Sequence, residues 1–295
     1  MNKLIFKLWK LYAGEFPVAA SKIMFYKTQH KILNLSNPVW FDEKLQWLKL
    51  NKYSNDILVA KCADKYEVRS ILKENNCEKI LNPLVFDKAF DHVDDIPWNE
   101  LPNKFVIKCT HGCHMNIVCT DFKKFDIQQA KKNLNAWLIE KQWKEQAELH
   151  YRHIKPRIII EEYIPLLCEE KSDIGDLLPN DYKIYCFNGK PKIVLVCTDR
   201  SYDVKYNYFD IDWNSCNFIA KNKKNVTIEP PKSFEDMLKY SEILSNIGDF
   251  PFVRVDFYDC CGRAIFGEMT FTPSGCNDND YTKEGQKYLG SLLNL

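Results

Sequence analysis

From Val253 to Phe271 the chain reads Val-Arg-Val-Asp-Phe-Tyr-Asp-Cys-Cys-Gly-Arg-Ala-Ile-Phe-Gly-Glu-Met-Thr-Phe, two alternating runs around a turn. The alternation predicts a β-hairpin with a three-residue turn at Cys260, Cys261 and Gly262, Gly262 taking the φ > 0 position. Its odd-numbered face, Val253, Val255, Phe257, Ile265, Met269 and Phe271 around Gly267, is a core surface. The even-numbered face gathers Arg254, Asp256, Glu268 and Thr270 among Tyr258, Ala264 and Phe266. Two carboxylates, a hydroxyl and a guanidinium converging across a strand pair suit a hard divalent cation, because Mg²⁺ is commonly held by one or two carboxylates together with substrate phosphates. The same residues also suit a half-solvated hairpin with an Arg–carboxylate pair on its wet side.

Other segments carry compatible chemistry. Phe105 to Lys108 ends a strand on a lysine, just before the loop Cys109-Thr110-His111-Gly112-Cys113-His114-Met115. A lysine beside exposed loop amides is a way to hold phosphate oxygens. Cys109, His111, Cys113, His114 and Cys119 also raise zinc, but no CxxC or second ligand cluster supports a closed four-ligand site, and a loop without metal is the simpler reading. Ile158 to Ile164 is an apolar strand turning acidic at Glu161 and Glu162, as a core strand reaching the surface or as a hinge that meets a flat base and its ribose. Asp181 and Lys183, two apart, share one strand face, and Arg200 follows the return strand. Asp210-Ile211-Asp212 is a DxD, read either as the metal-binding pattern of many glycosyltransferases or as a turn between strands.

The elements that must position these residues follow from periodicity and punctuation. Helices are predicted over 41–52, 64–75, 127–146 and 233–245, strands over 104–108, 116–120 and 157–164, and a strand pair over 182–198 turning at Asn188-Gly189. That order is α+β with largely antiparallel sheets. Glu169 to Pro179 reads as a flexible insertion. Leu4, Ile5, Leu8, Trp9, Leu11 and Tyr12 form an apolar helical stripe with Lys3, Lys7 and Lys10 towards the other side; such a helix either packs on its own protein or lies on an anionic membrane surface. Lys+Arg 41 against Asp+Glu 40 gives a net charge of +1, so no global field advertises nucleic acid. Twelve scattered cysteines without a secretory signal point to a reduced cytoplasmic chain, and no apolar run reaches membrane-spanning length.

In order, DKYEVR (64–69), KFVIKCTHGCHMNIV (104–118), IIIEEYI (158–164), DYKIYCFNGKPK (181–192), FPFVRVDFY (250–258) and GEMTFTPSG (267–275) resemble the ATP-grasp superfamily, and within it the TupA-like proteins found with bacterial surface-polysaccharide genes. The resemblance runs from about Asn37 to Leu295. It implies an ATP-grasp fold, two α+β subdomains with antiparallel sheets clasping ATP, with an N-terminal helical region (1–60) standing where a nucleotide-fold domain is usual. The ATP-grasp domain would span 61–295, with a smaller lid-like part over about 82–162 and a C-terminal part over 163–295 carrying the metal site. By the same resemblance Lys65, Lys108 and the loop at His111 and Gly112 reach phosphates, Glu161, Glu162, Tyr163 and Ile164 frame the adenine, Asp181 sits near the ribose and Lys183 lies along the triphosphate. Asp256 and Glu268 are implied Mg²⁺ ligands, with Mn²⁺ as a substitute, and Thr270 occupies the place where many members have an asparagine ligand. Arg254 and Arg200 steady the transferring phosphoryl group, while Ser274 and Gly275 present amides to a carboxylate acceptor. The implied activity is a cytoplasmic carboxylate–amine ligase acting through an acyl phosphate on a uronic acid or acidic peptide, with a small amine as donor. Its N-terminal helix would reach a membrane or the polysaccharide-assembly machinery. The rivals are a glycosyltransferase using Asp210 and Asp212, a kinase on the same scaffold, and a non-catalytic module of the same shape.

Overall fold

The computed structural model describes residues 3–164, 179–198, 200, 203–218 and 228–295. Helices α1 (Lys3–Glu15), α2 (Pro17–Gln29), α3 (Phe41–Asn51), α4 (Ile57–Ala63) and α5 (Val68–Glu74) come first. Strands β1 (Phe105–Cys109) and β2 (Asn116–Cys119), helix α6 (Ile127–Leu138) and strand β3 (Ile158–Glu162) follow. The remainder is β4 (Asp181–Phe187), β5 (Lys190–Thr198), β6 (Lys205–Asp210), β7 (Ser215–Cys216), α7 (Phe234–Ser245), β8 (Phe252–Cys260), β9 (Arg263–Thr270) and α8 (Lys283–Leu292). The expected insertion at 169–179 lies, Pro179 apart, outside the described residues.

The strands form two antiparallel sheets, β2-β1-β3 and β7-β6-β5-β4-β8-β9. In the small sheet Phe105, Ile107, Ile158 and Ile160 turn into a core with Trp98 and Leu134. Lys108, one residue out of phase, faces the other way. The large sheet shares its core with the helices before and after it, through Phe41, Leu48, Leu72, Tyr185, Phe252 and Leu289. Removing a ring such as the fully buried Phe252 would cost about 3–5 kcal/mol.

Several boundaries differ from expectation for local reasons. The helix expected over 64–75 starts only at Val68, because the Asp64 carboxylate accepts from the N–H groups of Tyr66 and Glu67 and holds a turn there. The preceding α4 is capped by Asp56, which accepts from Leu58 and Val59. The helix expected over 127–146 stops at Leu138, and the next residues lie under the β1–β2 loop, with the Gln142 amide bonded to both backbone groups of Cys113. Asn188 and Gly189 (φ 48° and 77°) make the tight hairpin expected of them. The β8–β9 turn has two residues rather than three, Cys261 and Gly262, both at positive φ (54° and 83°).

A bulge corrects the face assignment of that hairpin. Asp256 pairs with Glu268 but Phe257 pairs with Phe266, so Gly267 is the extra residue. A Cβ at Gly267 would stand 3.0 Å from the Asp256 carbonyl oxygen. Beyond it the alternation is inverted: Ala264 and Phe266 join the core, and Ile265 sits opposite Tyr258. Ten of the described cysteines are free thiols.

Candidate active site

The floor of the site is one face of β4, β8 and β9. The register stacks Lys183, Asp256 and Glu268 in one cross-strand row and Tyr185, Arg254 and Thr270 in the next. Lys183 attracts Asp256 directly across β4 and β8, whereas Asp256 and Glu268 are like charges directly opposite across β8 and β9 and need cations beside them. Arg254 grips Asp256 with two bonds of 2.7 Å, and Lys183 bonds both Asp256 and, at 2.6 Å, Asp181. Thr270 donates to Glu268 at 2.9 Å and accepts from Arg254 at 3.1 Å. Arg200 holds the Pro179 carbonyl at 2.9 Å and lies 3.6 Å from Asp181.

The two central carboxylates differ electrostatically. Burial alone would raise the Glu268 carboxyl, but Lys65, Arg254 and Lys183 outweigh it and hold it down to about 2. Burial dominates at Asp256 and raises it, despite Arg254 and Lys183, with Asp181 and Glu268 adding repulsion. Both oxygens of Asp256 are bonded to cations, whereas the second oxygen of Glu268 meets only Lys65, at 3.9 Å.

The small sheet supplies the opposite wall. Lys108 projects from β1 and is anchored at 2.6 Å by Glu161, whose other oxygen faces Arg69 at 3.9 Å. Burial pulls the Lys108 ammonium down, and the Glu161 charge more than restores it. Lys65 follows the Asp64 turn; its backbone N–H donates to the Thr110 carbonyl and its ammonium to the Gly112 carbonyl at 2.8 Å.

A third wall comes from the segment after α6 and the loop after β9. Glu148 accepts from Thr272 at 2.6 Å, and burial raises its carboxyl. Beneath them the buried Lys49 ammonium donates to the carbonyls of Gln146 (2.8 Å) and Gly275 (3.3 Å), tying both segments to α3. Ser274 and Gly275 both have positive φ (51° and 61°), and a Cβ on Gly275 would come within 2.3 Å of the Gln146 side-chain oxygen.

These walls enclose a cavity of about 500 Å³. Of the residues singled out in the sequence, Lys65, Lys108, Gly112, Asp181, Lys183, Arg200, Arg254, Asp256, Glu268, Thr270, Ser274 and Gly275 line it. His111 and residues 161–164 are not in that lining. His111 is buried behind the loop with Nε2 on the Trp137 carbonyl at 3.1 Å; Glu161 stands behind Lys108; Glu162 gives its carbonyl to Asn82; Tyr163 lies beside Lys104. The Gly275 N–H donates to the Thr272 carbonyl at 3.0 Å, inside its own turn. Gln142, Gln146, Glu148 and Tyr151 line the cavity too, though no sequence pattern marked them. Asp210 lies elsewhere, its oxygens accepting from the backbone of Asp212 and the backbone and side chain of Asn214.

Hard oxygen donors side by side, facing a ring of cations suited to phosphates, fit a Mg²⁺–nucleotide. Asp256 and Glu268 would hold the ion. Among the described residues no group of three His, Cys, Asp or Glu side chains forms a metal cluster, so phosphate oxygens and water would complete the coordination. Among the described residues nothing hydrogen-bonds the buried Asp181 Oδ1, an acceptor suited to a sugar hydroxyl.

No curated protein sequence matches the chain. Among solved structures it is similar to an L-amino acid ligase from Bacillus licheniformis, with a TM-score of 0.50 and 14% identity over 90% of this chain and 58% of that one. It is also similar to the ADP complex of an N5-carboxyaminoimidazole ribonucleotide synthetase (TM-score 0.46, 12% identity, 78% and 50% of the two chains). A third is the ATP complex of D-alanine–D-alanine ligase from Bacillus anthracis (TM-score 0.41, 16% identity, 75% and 56%). The chain thus spans between 50% and 58% of the length of these three, and at such identities the likeness is one of fold. The model of a family described as TupA-like ATPgrasp matches residues 43–294, which include every strand of both sheets and every residue lining the cavity, and the chain belongs to that family.

Proposed function

We propose that the protein is an ATP- and Mg²⁺-dependent ligase that joins a carboxylate to an amine and releases ADP and phosphate. The observation that carries this reading is the convergence of Lys65, Lys108, Lys183, Arg200 and Arg254 on one cavity around two carboxylates in register. Phosphoryl transfer depends on positioning and charge stabilisation more than on protein nucleophiles, and these residues supply both. Mg²⁺ would neutralise phosphate charge when bound. Lys65, Lys108 and Lys183 bind the phosphates, and Asp181 takes a ribose hydroxyl.

A substrate carboxylate oxygen attacks the γ-phosphorus, the bond to the β-phosphate oxygen breaks, and Arg254 and Arg200 hold the charge of the acyl phosphate. The amine nitrogen then attacks the acyl carbon, and phosphate leaves with the former carboxylate oxygen. At the wall built by the segment after α6, the lining carries Glu148, which accepts from Thr272, and Glu145, which is paired with Lys10. We assign the amine to that wall, Glu148 accepting its proton. The fold shared with an L-amino acid ligase supports this class of reaction. The family resemblance supports a uronic acid or acidic peptide of surface polysaccharide as the carboxylate and the cytoplasm as the site of action. The engagement of Asp210 in its turn argues against the glycosyltransferase reading.

The test is ADP release screened across uronic acids, acidic peptides and amines, followed by ¹⁸O-labelled carboxylate. Label in the released phosphate, only with amine present, is the expected result. A stable phosphorylated product with no amine requirement would make the protein a kinase, and a melting shift with UDP-sugars but not ATP would refute both.

A further inference from the structure

Helix α1 is mounted inside out. Its inward side is Trp9, Lys10 and Ala13: the Trp9 indole N–H donates to the Glu145 carbonyl at 3.0 Å, and Lys10 pairs with Glu140 (2.6 Å) and Glu145 (2.8 Å). Its apolar stripe faces out, with Leu4, Ile5, Leu8 and Leu11 all more than half exposed. Phe16 (59%), in ring contact with Tyr12, extends that surface past the end of α1, and Ile23 and Tyr26 on α2 are exposed as well. Isolated exposed leucines are ordinary, but an exposed apolar stripe running the length of a helix marks an interaction site.

Charge identifies what covers it. Residues 1–40 contain six lysines and one glutamate, a net charge of +5 against −4 for the rest of the chain; Lys10 and Lys31 are paired with Glu140, Glu145 and Glu43, while Lys7, Lys22 and Lys27 stay exposed. Lys7 flanks the α1 stripe, and Lys22 and Lys27 border a groove with Ile23, Tyr26, Ile32 and Leu33. Two copies meeting through this surface would bring like charges together. An anionic bilayer accepts apolar side chains below its headgroups and lysines among them. We propose that α1 and α2 form a docking surface for anionic lipid membranes. Because α1 is fastened to Glu145, a lining residue of the cavity, docking sets the cavity's third wall beside the membrane, where an acceptor held at the lipid surface can reach it.

The test is sedimentation of the full chain with vesicles of phosphatidylglycerol and phosphatidylcholine, against vesicles of phosphatidylcholine alone, with light scattering on the free protein. Expected are a monomer in solution, binding to the anionic vesicles only, weakening with salt, and at least a tenfold loss of binding in both Leu8→Gln/Leu11→Gln and Lys7→Glu/Lys22→Glu. These positions are exposed, so the variants keep their fold, checked by melting. A chain that stays in the supernatant overturns the proposal, as does binding that ignores the leucine substitutions. A dimer that Leu8→Gln/Leu11→Gln dissociates would assign the stripe to a second copy instead. None of these readings depends on the ligase reaction.

Discussion

The two sheets each direct cations at the cavity, but they secure them differently. In the small sheet Lys108 is tied to Glu161, which stands outside the cavity lining and is itself held by Arg69 and Asn82. In the large sheet Lys183 and Arg254 are tied to Asp181 and Asp256, which line the cavity with them. The first pair is a fixture and can meet a phosphate without letting go. The second set is exchangeable: a phosphate can replace a carboxylate on Lys183 or Arg254, and the freed carboxylate can turn to a metal. A buried charge network of this kind keeps its desolvated groups paired both before and after substrate arrives.

The largest effect is expected at the exchangeable end. Glu268→Gln should lower turnover about 1,000-fold, since on the proposed reading it removes one of two anionic metal donors at nearly constant volume. Its melting point should stay within about 5 °C of the parent. Activity near the parent level would place the exchange elsewhere. Arg254→Met should lower kcat about 100-fold with little change in KM for ATP, because on the proposed reading its charge is needed most when the acyl phosphate forms. An equal loss in KM would make it a ground-state ligand like Lys183.

The fixed pair should respond in stability. Glu161→Gln leaves Lys108 and Arg69 without their carboxylate and should cost about 3 kcal/mol, roughly 6–10 °C of melting temperature. Lys108→Met should instead raise KM for ATP about tenfold. If Glu161→Gln melts normally while its KM shifts, the contrast between the sheets fails.

The smallest effect is one of pH. The Glu268 carboxyl lies at about 2 in the folded chain against an ordinary 4.5, so the folded state binds its proton less readily than the unfolded chain. Its contribution is therefore complete above about pH 4.5 and fades as pH falls towards 2. Melting followed across that window should fall less steeply in Glu268→Gln than in the parent. Parallel curves would mean the carboxyl is not depressed.

Much of the large sheet was legible because its signals are local. Asn188-Gly189 marked one turn and Cys260-Cys261-Gly262 another, the latter one residue too long, and period-two alternation brought Arg254, Asp256, Glu268 and Thr270 to one face. The bulge at Gly267 was not legible, since a glycine between two apolar runs reads equally as an ordinary strand position, and the faces of Ile265 and Phe266 were inverted as a result. The third wall was silent for another reason. Gln142 and Glu148 sit in a polar stretch without period, and their places are set by partners far along the chain, the Cys113 backbone and Thr272. Helix α1 shows the converse: its periodicity announced an amphipathic helix, but which side would face the protein was decided by Lys10 and Trp9 finding Glu140 and Glu145.

The extra residue at Gly267 gives the hairpin a phase step. Strand positions on either side of it obey opposite odd–even rules, so the carboxylate row and the apolar tip are indexed independently. Deleting Gly267 would force a choice: either Ile265 and Phe266 exchange faces and the core loses a ring, or Glu268 and Thr270 rotate inward and the cavity loses its floor. Lengthening the tip by one residue per strand would reverse only the added positions and leave the pairing of Asp256 with Glu268 untouched. The reactive half of this hairpin is thus insulated from changes in its length made beyond the bulge.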